Sequence, residues 1–147
     1  MRFSEAGRGR VFVARLEHGE IVHEVIQDFC RHKGVNAARV TILGGADTGS
    51  QLVVGPKRGE ELPPDPMVRT LAGVHEMTAV GTVFPDQEGD PQLHMHVACG
   101  RDRNTICGCV RAGVKVWQVA EVLIEEFVDS SAGRLADKKT GFALLHP

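Results

Sequence analysis

The chain has 147 residues, 42% hydrophobic and 24% charged, enough to bury the core of one domain without disulfides or metal holding it together. No apolar run approaches the roughly 20 residues needed to cross a bilayer, and MRFSEAGRGRVFV lacks the apolar core of a secretory signal, so the chain is expected to be cytoplasmic. A net charge of −2 excludes the global basic excess on which non-specific nucleic-acid binding draws. The local pairs Arg8 and Arg10, Lys57 and Arg58, Arg101 and Arg103, and Lys138 and Lys139 read as solvated surface, which leaves a nucleic-acid partner doubtful.

RVFVARL at 10–16 is rich in β-branched and apolar residues and predicts a strand. Ile21, Val22, Val25, Ile26, Phe29 and Cys30 then recur at helical spacing before Gly34, which predicts an amphipathic helix over 20–33. ARVTIL at 38–43 predicts a second strand, broken by Gly44-Gly45, with a short one around 50–54. GPKRGEELPPDP at 55–66 reads as a loop too short to separate domains. VRTLAGVHEMTAVGTVF, LHMHVACG and NTICGCV read as successive strands, with PDQEGDP as a turn. In VWQVAEVLIEEFV at 116–128, periodicity permits helix or strand. A polar tail from Asp129 to Thr140 leads to the apolar end GFALL.

The stretch QLHMHVACGRDRNTICGCV carries two histidines and two cysteines, each pair separated by one residue. An antiparallel hairpin turning about Asp102 and Arg103 with a two- or four-residue loop sets His96 opposite Cys109 and Ala98 opposite Cys107. Side chains alternate faces along a strand, so His94, His96, Cys107 and Cys109 then share one face while Leu93, Met95 and Val97 point to the core. A three-residue loop changes that parity. With no export signal, the four cysteines read as thiols, and imidazole with thiolate is a donor set that zinc accepts. The pattern equally suits a hairpin whose histidines line a polar groove and whose cysteines fill small buried spaces.

GRVFVARLEHGE, VTILGGA, HEMTAVGTVF, LHMHVACGRD, CGCVRAGVKVWQVAEVLI and KKTGFALL, in this order over nearly the whole chain, resemble the plant and prokaryote conserved (PPC) domain. This domain stands alone in bacteria and archaea and is joined to AT-hooks in plant nuclear proteins. The resemblance implies a compact single α/β (α+β) domain over 1–147, with a mainly antiparallel sheet flanked by one or two helices, and makes 116–128 a strand. It also implies a homotrimer. Family members commonly carry Gly-Gly-His in the strand after the HxH pair, and that histidine joins the pair on a metal. Cys107-Gly108-Cys109 stands there in this chain, so the resemblance implies His94, His96 and Cys109 as ligands of zinc or another divalent transition metal. Cys107 and His75 remain open as further ligands, His75 being otherwise a groove residue.

Three roles follow as expectations. The family description is DNA-associated or regulatory, yet the AT-hook carries that contact in plants, and GRGRV here lacks the Gly-Arg-Pro core of one. A second role is an oligomeric binding module that displays a metal-containing pocket to a small molecule or a protein. The third is a metal-dependent, hydrolase-like enzyme with Glu76 or Glu121 as base.

Overall fold

The computed structural model describes residues 1–147. Strand β1 (Gly7–Glu17), helix α1 (Val22–Lys33) and strands β2 (Ala38–Ala46), β3 (Gln51–Pro56) and β4 (Pro66–Thr70) come first. Strands β5 (His75–Pro85), β6 (Pro91–Arg101) and β7 (Asn104–Cys109) follow. After a single 3₁₀ turn at Val110–Ala112 come β8 (Val116–Val128), β9 (Gly133–Ala136) and β10 (Ala143–His146). Eight strands form one sheet in the order β1-β8-β2-β5-β6-β7-β3-β4, and β9 with β10 forms a separate hairpin. Every pairing is antiparallel. No helix is long and apolar enough to cross a membrane.

One face of the sheet is the core. Val40 and Ile42 of β2, Met77, Ala79 and Val83 of β5, Met95, Val97 and Cys99 of β6, and Val122 and Ile124 of β8 are all buried there. Val22, Ile26 and Cys30, four residues apart along α1, form the helical stripe that packs against them. The Gln27 side chain ties the helix to the sheet, its Oε1 accepting from the Leu93 amide at 3.0 Å. Gly34 ends the helix in the left-handed region, with φ 63° and ψ 39°, as its place in the sequence predicts.

The predicted strand at 116–128 forms, and its helical alternative is corrected by burial. Val119 and Leu123, which a helix would place on the buried stripe with Ala120 and Ile124, are exposed, while Ala120, Val122, Ile124 and Glu126 alternate inward. Gly44-Gly45 does not break β2. The strand runs through to Ala46 and absorbs an irregularity in its pairing with β8, opposite Gln118 at φ 61°. The helix begins two residues later than predicted, because Ile21 is extended and bridges Lys115. The hairpin of β9 and β10 lies within what the sequence predicts as a polar tail and its apolar end.

Candidate metal centre and cleft

β6 and β7 pair with His96 opposite Cys109, Ala98 opposite Cys107 and Arg101 opposite Asn104, closed by the two-residue loop Asp102-Arg103. Asp102 takes φ 54°, the left-handed geometry that such a tight loop requires. Met95 and Val97 fall on the core face and Leu93 packs at its edge. His94, His96 and Cys109 fall on the opposite face, and one donor atom from each lies within 4.8 Å of the others. The two imidazoles stand edge to face, with ring centroids 5.1 Å apart. Gly108 is dictated by close approach, since a Cβ there would sit 2.6 Å from the Val53 carbonyl oxygen of β3. Only glycine lets β7 lie against β3 and carry Cys109 to the histidines.

Cys107 is exposed and lines the same cleft, but it stands outside the three-donor cluster. His75 is not a fourth ligand, nor does it line the cleft. Glu76 pairs with Gly100, so His75 lies five residue steps along the sheet from the level of His96, about 17 Å at strand spacing. It is buried, and its Nδ1 lies 2.9 Å from the Gly73 carbonyl, which can only accept, so Nδ1 carries the proton. Glu76 and Glu121 also lie elsewhere. Glu121 is joined through Leu43 and Thr78 to Ala98, three strand spacings or about 14 Å away.

The three donors open into a cleft of about 910 Å³ between the sheet and the C-terminal hairpin. Arg134 of β9 ties the hairpin down, with Nη2 donating to Thr82 Oγ1 at 3.1 Å and to the Thr82 carbonyl at 3.5 Å, and Nε donating to the Gln92 carbonyl at 3.5 Å. Burial holds the His94 pKa below its ordinary value, assisted by the positive charges of Arg134, His96 and Arg111. The neutral imidazole so favoured is the form that binds a metal. Asp86 is the one carboxylate in the lining, and it already accepts hydrogen bonds from the amides of Glu88 and Asp90 and from Gln92 Nε2. Arg111, Arg134 and the apolar residues of β10 were not singled out as site residues in the sequence. The signal available was faint: two short stretches, GRLA and ALLH, flanking the turn-like DKKTG.

The sequence matches the profile of the Plants and Prokaryotes Conserved (PCC) domain over residues 3–128. The chain belongs to this family. Among solved structures it is similar to a plant- and prokaryote-conserved protein of Pyrococcus horikoshii, at 25% identity and a TM-score of 0.85, covering 100% of this chain and 98% of that one. A metal-containing protein of Archaeoglobus fulgidus superposes at a TM-score of 0.84, with 24% identity and full coverage of both chains. A Bacteroides thetaiotaomicron protein provisionally assigned as DNA-binding shares the fold at a TM-score of 0.78, with 14% identity and 96% of each chain covered. No curated protein matches in sequence. The β6 and β7 hairpin of this PCC domain bears the triplet Cys107-Gly108-Cys109.

Proposed function

We propose that this PCC-domain protein is a trimeric binding module with a regulatory role, built around a metal site in the cleft. The observation that carries the reading is the cluster of His94, His96 and Cys109 donors, all within 4.8 Å. Bonds of about 2.0–2.3 Å in a tetrahedral zinc centre put ligand atoms roughly 3.3–3.8 Å apart, so modest rotamer adjustment closes this set on one ion. The donor chemistry fits zinc or a similar divalent transition metal. A bound ion would supply a Lewis-acidic position there. The chain's own residues orient that position: the β6 face presents both imidazoles, and β7, pressed on β3 through Gly108, presents the thiol. The metal-containing relative from Archaeoglobus fulgidus supports the reading.

A hydrolytic alternative requires a base within reach of the metal. Glu76 and Glu121 stand more than 10 Å away by strand spacing, and Asp86 is engaged in three hydrogen bonds, so binding is favoured over catalysis. DNA association comes only through the names of relatives. Two of the four local basic pairs are engaged in whole or in part: Lys57 with Asp65 and Arg58 with Glu61, and Arg10 with Glu126. Metal analysis of the purified protein tests the proposal. About one zinc-like ion per chain is expected, lost in His94→Ala or His96→Ala, weakened in Cys109→Ser and kept in Cys107→Ser. Unchanged metal content in both histidine variants overturns it.

A further inference from the structure

Arg134 is only 7% exposed, yet no carboxylate lies within ion-pairing distance of it. Its protein partners are all uncharged: neutral oxygens on Thr82 and Gln92, reached through Nε and Nη2, and the Phe84 ring, whose centroid lies 5.9 Å from the guanidinium carbon; Nη1 donates to no protein atom and is not sealed from solvent. A buried cation without a counter-charge is costly to a fold, and the usual remedy is a carboxylate neighbour. The one acidic side chain of the cleft, Asp86, spends its oxygens on two amides and a glutamine. A second guanidinium, Arg111, lines the same space beside the histidines. Apart from Gln92 and Cys107, the remaining side chains are apolar, chiefly Val53, Val54 and Leu93 from the sheet side and Phe142, Leu144 and Leu145 from the hairpin. Phe142, Leu144 and Leu145 are each at least 40% exposed, with Leu145 paired directly to Arg134 across the hairpin.

We infer that the cleft takes a small amphipathic molecule whose anionic oxygen head, a carboxylate or a phosphate, is held by Arg134 and Arg111 beside the metal triad, its apolar body lying along β10. This rests on the metal-centred reading for the place of the head, while the two arginines supply attachment of their own. Guanidinium groups match the planar or tetrahedral oxygens of either head, and a metal held by the triad would supply a Lewis-acid partner for one of them.

The test is calorimetric titration with octanoate and with octyl phosphate, 1-octanol serving as the neutral control, on zinc-loaded and on chelator-treated protein. Both or one of the anions should bind and octanol should not, and the stronger of the two identifies the head. Arg134→Gln should weaken binding about tenfold or more with zinc content unchanged. Arg111→Gln, at an exposed position that the fold does not need, should weaken it about twofold. Affinity should also fall as salt rises. Octanol binding as tightly as the anions, or Arg111→Gln and Arg134→Gln both leaving affinity unaltered, overturns the inference. If Arg134→Gln does not fold, the octanol control and Arg111→Gln decide. Stoichiometric zinc with neither anion bound sinks this inference and leaves the metal reading standing. Arginine-dependent anion binding by a chain that takes up no zinc does the reverse.

Discussion

Glu126 illustrates how a single side chain is fixed by its sheet position. It alternates inward along β8 and is nearly buried, where a carboxylate needs several donors to stay ionised. Arg10 supplies them from β1: its amide donates to Oε2 at 3.0 Å, its Nε to Oε2 at 2.7 Å and its Nη2 to Oε1 at 2.6 Å. These bonds hold the Glu126 pKa down at about 2, from an ordinary 4.5, with the Arg10 side chain the largest cause. Since the folded value lies below the unfolded one, the stabilisation is complete above about pH 4.5 and is lost as pH falls toward 2. Glu126→Gln is therefore expected to be less stable than the native chain at neutral pH, with the difference shrinking between pH 4.5 and 2. Melting curves across that range check it, and a stability gap that stays constant with pH contradicts the assignment.

β7 depends on a backbone contact more than on side chains. It meets β3 at the single pairing of Val53 with Cys109, and Gly108 lies within that contact. A methyl group at 108 would have to displace the Val53 carbonyl from 2.6 Å, so Gly108→Ala should push β3 from β7 and move the thiol of Cys109 off the histidines. The expected result is a metal affinity at least tenfold lower, while the core elsewhere stays folded, measured by zinc titration beside amide exchange. Native affinity in Gly108→Ala would mean that the strand contact does not position the site. Much of this hairpin was legible in the sequence: period-two alternation with a two- or four-residue loop sets Cys109 opposite His96, and the alternative parity of a three-residue loop is excluded by the Asp102-Arg103 turn. In β8 periodicity alone was silent, since Val116, Ala120 and Ile124 satisfy both periods; the family resemblance implied the strand, and partners on both sides, β1 and β2, hold it as one. Arg134 was least legible of all. Nothing local marks a cation as buried when the surface that buries it comes from Thr82 and Gln92, 52 and 42 residues earlier.

Seen across the whole sheet, the face opposite α1 leaves apolar side chains bare. The register places Val13, Leu123, Thr41, Val80, His96 and Cys109 in one row across six adjacent strands. Val13 is 82% exposed and Val80 60%, with Val11, Leu43 and Val119 bare on the same side. β-branched and leucine side chains spread over neighbouring strands form a contiguous patch, which a monomer in water rarely leaves uncovered. We propose further copies of the chain as its cover, and closed cyclic assembly would then place a neighbouring subunit one strand from His96, at Val80. Charge offers little resistance at the centre, because Arg39 and Glu125 already pair within the face and Arg15 pairs with Glu17 at its rim. A stable trimer is therefore expected by light scattering at micromolar concentration. Val13→Glu and Leu123→Glu, each setting a like charge in every copy of the patch, should shift the mass to that of one chain while the melting transition of the fold persists. A native chain that scatters as a monomer at that concentration, or a double variant that remains trimeric, removes this face from the interface.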